Sequence, residues 1–108
     1  MAGGMACVLF TDLVGSTELM GRLGDTAFDE LRAEHFARLG RVVSTHHGTL
    51  VKTTGDGIMA TFGSAVDALA AAVAAQQATE VHGRTAGVPL ELRAGLALGE
   101  VADQDGDV

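Results

Sequence analysis

Basic residues are scarce in this chain. Seven lysines and arginines face fourteen aspartates and glutamates, for a formal net charge of −7 and a pI near 4.8. Neither a phosphate backbone nor an anionic lipid surface is attracted to such a protein, so nucleic acid and membrane are not its expected partners. A phosphate-bearing ligand would need cations to mediate. Tryptophan and tyrosine are absent and phenylalanine occurs only four times, so the core must be aliphatic and thin. The single cysteine, Cys7, has no disulfide partner and lies in the apolar run from Ala6 to Phe10, which reads as a reduced, buried thiol. No histidine stands near it in sequence to activate it as a nucleophile. The N-terminus lacks a basic stretch, and its apolar run is too short for a signal peptide or a membrane span. The expected location is therefore the cytoplasm. A length of 108 residues with 47% hydrophobic content fits one globular domain.

The elements follow from pattern. Met5 to Thr11 is a continuous apolar and β-branched run that reads as a buried strand ending in a turn. Ser16 or Thr17 is placed to cap a short helix through Leu23, with Glu18 in its first turn. From Thr26, the residues Phe28, Leu31, Phe36, Leu39, Val42 and Val43 recur at steps of three and four, which predicts a long amphipathic helix ended by Gly48. Thr49 to Thr54 and Ile58 to Phe62 are β-prone runs separated by Gly55-Asp56-Gly57, a hairpin signal. Ser64, three residues before Asp67, predicts the cap of an alanine-rich helix over Ala65 to Gln77. Residues 83–89 read as a loop, and Leu90 to Leu98 alternates as a fourth strand with one apolar face. The order β-α-β-β-α-β predicts an α+β, ferredoxin-like fold of the split βαβ, palm-like type. Its antiparallel or mixed sheet would carry helices on one face, with the first and third strands side by side.

That topology brings two aspartates together. Asp12 ends the first strand within FTDLVGST, and Asp56 sits at the hairpin tip within KTTGDG. Carboxylates on neighbouring chain reversals can share a pair of divalent cations about 3.5–4 Å apart, the arrangement used to move phosphoryl groups. Alone, Asp12 is an ordinary helix cap and Asp56 an ordinary turn residue; only the pair points to chemistry. His46-His47 reads as a structural feature of a helix C-terminus rather than a metal site, because adjacent histidines cannot both face one helix-borne ion. Asp103, Asp105 and Asp107 imitate the start of a calcium loop, but Gly106 falls at the wrong position.

Phe10 to Thr17, GTLVKTTGDGIMATF from Gly48 to Phe62, and LRAGLALGEV from Leu92 to Val101 together resemble the class III adenylate/guanylate cyclase catalytic domain of bacterial type. The resemblance runs almost end to end and identifies the N-terminal part of such a domain. It implies that Asp12 and Asp56 bind two Mg²⁺ or Mn²⁺ ions, with the backbone carbonyl of Leu13 completing one shell. Gly15, Ser16 and Thr17 would hold triphosphate oxygens at a helix N-terminus. Lys52 matches the position of a base-recognising lysine, which can donate to the adenine ring but cannot accept from guanine. Asp107 resembles the second base-recognising residue, whose carboxylate would accept from the adenine 6-amino group.

The implied reaction is conversion of ATP to 3′,5′-cyclic AMP and pyrophosphate at the interface of a homodimer, with metal ligands from one protomer and base recognition from the other. The family pattern continues, beyond the residues matched, with a helix bearing an asparagine and an arginine that stabilise the transition state. Residues 1–108 are thus expected to form a single cyclase homology domain, truncated at its C-terminal end and weakly active or inactive alone. No arginine in the sequence is an evident substitute, since the face of Arg93 is not legible. The alternatives are a non-catalytic, cyclase-like dimerisation or nucleotide-sensing module, and, less favoured, a two-metal phosphohydrolase or cyclic-dinucleotide synthase, for which no Gly-Gly-Asp-Glu-Phe type run is present.

Overall fold

The computed structural model describes the backbone of residues 3–102 and the side chains of residues 6–99. Along the chain run β1 (Gly3–Leu13), α1 (Ser16–Leu23), α2 (Asp25–Thr45), β2 (Thr49–Thr54), β3 (Gly57–Phe62), α3 (Ala65–Ala86) and β4 (Leu92–Ala102). The strands pair in the order β2-β3-β1-β4, each with its neighbour antiparallel. This is the expected ferredoxin-like α+β arrangement, with β1 and β3 adjacent.

β1 takes a central place because it is apolar on both sides. Cys7, Leu9 and Leu13 face the helices and Val8 the opposite side, and all four are buried. α2 and α3 pack on each other and on the same face of the sheet. α3 presents Ala68, Ala71, Ala72 and Ala75 inward, and these small side chains let it approach closely. The core is aliphatic as composition requires, built on Leu9, Leu13, Leu39 and Ile58, with Phe28 and Phe62 as its buried aromatics.

Element boundaries differ from the sequence reading at four places. Neither Ser16 nor Thr17 caps α1: Gly15 holds the N-cap position at φ 68 and Ser16 is the first helical residue. The two-residue reversal from β1 into α1 needs a left-handed backbone, which glycine adopts without steric cost. At the end of α2 the left-handed position falls on His47, at φ 65, rather than on Gly48. The Gly48 N–H then donates to the Val43 carbonyl at 2.9 Å. The His46 ring nitrogen lies 2.9 Å from the Val42 carbonyl, which supports its structural reading. α3 is capped by Ser64 as expected, the Asp67 N–H donating to its Oγ at 3.0 Å. It continues past Gln77 to Ala86, because Thr79 bonds back to Ala75 and Arg84 pairs with Glu80 one turn earlier. Finally, β4 begins at Leu92 and its apolar face is only half covered. Leu92 and Ala94 join the core, whereas Leu96 and Leu98 are 41% and 72% exposed beyond the reach of the helices.

One core group carries an electrostatic penalty that the sequence did not advertise. His35 on α2 is fully buried, and neither ring nitrogen has a hydrogen-bond partner among the described residues. Its ring stacks on that of His82 from α3, with centroids 6.5 Å apart and planes 16° from parallel. Burial, reinforced by His82, lowers its pKa from 6.5 to about 4. The folded state thus binds fewer protons than the unfolded chain between those values, so this group's contribution is complete above pH 6.5 and is lost as pH falls toward 4. We expect unfolding free energy to drop by up to about 1.4 kcal/mol per pH unit in that window. Urea titrations from pH 7.5 to 4 check this, and His35→Met should flatten the slope.

Candidate active site

The site is built where the end of β1 meets the start of β3. Thr54 pairs with Gly57, leaving Gly55 and Asp56 as the loop, with Gly55 at φ 59. Gly57 packs so tightly on β1 that an added Cβ would penetrate the Thr11 carbonyl oxygen. Next to it, the Ile58 N–H donates to Thr11 Oγ1 at 3.2 Å, a buried contact. On the other side of the tip, Arg32 Nη1 of α2 donates to the Gly55 carbonyl at 2.9 Å. Asp56 is therefore held between β1 and α2. The turn aims it toward α1 and β1.

Asp12 and Asp56 are brought into direct contact. Hydrogen bonding to Asp56 is the main cause that holds Asp12 above its ordinary pKa, helped by desolvation and the Asp56 charge and opposed by Arg93 and the Leu13 N–H. For Asp56, desolvation pushes upward, but hydrogen bonds from Asp12, Ser16 and its own backbone outweigh it and hold it low. Two like charges this close cannot both ionise freely, and a cation between them removes the conflict. Among the described residues no three His, Cys, Asp or Glu side chains converge. A cation here would rely on two carboxylates, backbone carbonyls and ligand oxygens, the donor set that suits Mg²⁺ or Mn²⁺.

Around the carboxylates stand groups for an anion. The first backbone bond of α1 runs from the Leu19 N–H to the Gly15 carbonyl, and no side chain caps the helix. The N–H groups of Ser16, Thr17 and Glu18 thus lack intrahelical acceptors, at the positive end of the helix dipole. Ser16 and Thr17 line a cavity of about 320 Å³ with Met20, Phe28, Asp29, Arg32, Gly55 and Asp56. A second cavity of about 320 Å³ is lined by Phe10, Thr11, Asp12, Arg93, Ala94 and Gly95. Arg93 stands opposite Asp12 in the β1–β4 register and so shares its face.

Lys52 is not brought into either cavity. It lies exposed on β2 beyond a bulge at Val51, opposite Met59, which is itself opposite Phe10. Register places it on the helix-free face of the sheet, with Phe10 and Asp12. Asp107 lies outside the described residues. The sequence reading named Arg93 without orienting it and passed over Arg32 and His35. The first was recoverable by counting alternation back from Leu92 and Ala94, while the other two depend on which face of α2 meets the hairpin.

Residues 3–105 match the model of the adenylate and guanylate cyclase catalytic domain. The chain belongs to this family. A Rhizobium meliloti (strain 1021) protein that carries an adenylate cyclase name is 36% identical over 96% of this chain and 18% of its own length. An adenylate cyclase of Streptomyces coelicolor (strain ATCC BAA-471 / A3(2) / M145) is 36% identical over 92% of this chain and 25% of its own. Among solved structures, the adenylyl cyclase CyaB from P. aeruginosa superposes with a TM-score of 0.79 at 26% identity, over 93% of this chain and 59% of that one. The cyclase domain thus spans about a fifth to a quarter of these curated relatives.

The contact between β1 and β3 is what holds the cyclase domain's two aspartates together, and Gly57 is its most constrained member. Gly57→Ala should cost about 1–3 kcal/mol through overpacking and raise the hydrogen-exchange rate of the Ile58 amide. Urea unfolding and exchange measurements check both; an alanine variant as stable as the parent would contradict the tight approach.

Proposed function

We propose that this domain is part of an adenylate cyclase that converts ATP to 3′,5′-cyclic AMP and pyrophosphate in a homodimer. The observation that carries the reading is the direct contact of Asp12 and Asp56 beside the uncapped N-terminus of α1. Asp12, Asp56 and the Leu13 carbonyl would hold two Mg²⁺ or Mn²⁺ ions. When bound, such ions make the ribose 3′-hydroxyl more acidic and neutralise charge on the phosphate oxygens.

The chain's own groups then position the reactants. The N–H groups at Ser16 and Thr17, with the Ser16 hydroxyl, would donate to the triphosphate oxygens. Arg93 places a guanidinium on the same face as Asp12, where charge on the phosphate grows. The 3′-oxygen forms its bond to the α-phosphorus as the bond to pyrophosphate breaks. Lys52 donates to an adenine ring nitrogen, and Asp107 accepts from the 6-amino group. Because Lys52 lies outside the cavity that holds Asp56, these base contacts fit a nucleotide shared with a second protomer. The curated relatives carrying adenylate cyclase names favour ATP over GTP.

The test is mass-spectrometric analysis of products after incubation with ATP or GTP and Mn²⁺, alongside Mn²⁺-dependent nucleotide binding. Cyclic AMP from ATP, reduced by about 10²-fold or more in Asp56→Ala, is the expected result. Metal-dependent ATP binding lost in the same variant supports the reading if turnover is undetectable. A product from GTP alone, or binding indifferent to Asp56, would overturn it.

A further inference from the structure

We propose that Arg32 is a positioning residue for Asp56. It ties the tip of the β2–β3 hairpin to α2 and so holds the second carboxylate against the first. The inference rests on the proposed cyclase reading for its consequence, and on geometry alone for the restraint.

The tip needs such a tie. Asp56 is flanked by Gly55 and Gly57, the residues with the greatest backbone freedom to lose. β2, which carries one arm of the hairpin, is an exposed edge strand interrupted by a bulge between Leu50 and Lys52. The β1 side is fixed by Thr11, but its contacts fall on Gly57 and Ile58, after the aspartate. Arg32 fixes the residue before it, through the Gly55 carbonyl. Asp56 is then pinned on both flanks.

Arg32 is suited to the task. Its base is α2, a helix of 21 residues buried along one side through Phe28, Leu31, His35, Leu39 and Val43. Its guanidinium lies 5.8 Å from the centroid of the Phe36 ring, which limits its motion. Among the described residues no carboxylate lies within ion-pairing distance of it, so the Gly55 carbonyl is not competing with a stronger acceptor. The bond is charge-assisted, and a lysine can replace its single N–H contact but not the planar guanidinium near Phe36.

The test compares the parent chain with Arg32→Ala and Arg32→Lys by two readouts. In the first, hydrogen exchange at the Asp56 and Gly57 amides without metal should rise about tenfold in Arg32→Ala, the loss of one charge-assisted hydrogen bond. It should be partly restored in Arg32→Lys, while amides of α3 stay unchanged. Unchanged exchange at the tip overturns the restraint. In the second, Mn²⁺ affinity measured by electron paramagnetic resonance with a non-cleavable α,β-methylene ATP should fall about 10- to 100-fold in Arg32→Ala, again with partial rescue by lysine. Nucleotide affinity lost with Mn²⁺ affinity intact would overturn the proposal by marking Arg32 as a phosphate contact. Absence of Mn²⁺ binding in the parent chain would count against the cyclase reading, while the exchange readout still decides the restraint.

Discussion

Everything at the site depends on how closely β3 approaches β1 at Thr11. The threonine hydroxyl accepts from the Ile58 N–H, and the carbonyl one atom group away leaves no room for a side chain at Gly57. These contacts set the separation of two chain reversals, and the reversals carry the aspartates. The hairpin lies at the edge of the sheet, and only its inner strand, β3, has such a neighbour. Split βαβ topology places β3 beside β1 and runs it antiparallel, so the end of one strand meets the start of the other. The topology is in this sense part of the chemistry.

The same closeness has an electrostatic cost, and the chain meets it locally rather than globally. An acidic protein is a poor host for a polyanion, and the overall charge of −7 would repel one. At the site the balance reverses. The uncapped N–H groups of α1, the Ser16 hydroxyl and Arg93 stand near the carboxylate pair. A field made from dipoles, one guanidinium and mobile cations fades within a few ångströms of its source, since salt screens charge beyond about 8–10 Å. An acidic surface is thus compatible with a local phosphate site of the kind the proposed function requires.

Much of this was legible in the sequence where local rules decide. Gly-Asp-Gly between two β-prone runs can hardly be anything but a hairpin, and the element order then fixes the adjacency of β1 and β3. Ser64 caps α3 because its side chain and the Asp67 N–H are three residues apart on any helix start. The misreadings share a different cause. Ser16 reads as a cap, but the reversal into α1 needed a positive φ at the preceding residue, and that requirement moved the cap to Gly15. The alternation of Leu96 and Leu98 was read correctly as a strand, but alternation cannot say how far a helix reaches across it. Glycine at 83 looked like the opening of a loop; instead the Val88 carbonyl and Leu90 press on it within a continuing helix. His35 had no place in the sequence reading. Its burial follows from which face of α2 meets α3, a tertiary fact with no local signal.

The placement of Lys52 bears on the assembly. Lys52 lies within β2, whereas Asp56 lies beyond the end of that strand, at the hairpin tip. The bulge at Val51 and the pairing with Met59 turn Lys52 to the helix-free face of the sheet, whereas Asp56 opens into the cavity beside α1. On that helix-free face Phe10 is 44% exposed, a large apolar side chain between Lys52 and Arg93 in the sheet order. Asp12 and Arg93 share that face with Lys52, so the division lies between Lys52 and the α1 end of the site, not between Lys52 and every group assigned to phosphate. In the proposed homodimer, the lysine of one protomer would reach the nucleotide of its partner across this surface, where Phe10 is exposed.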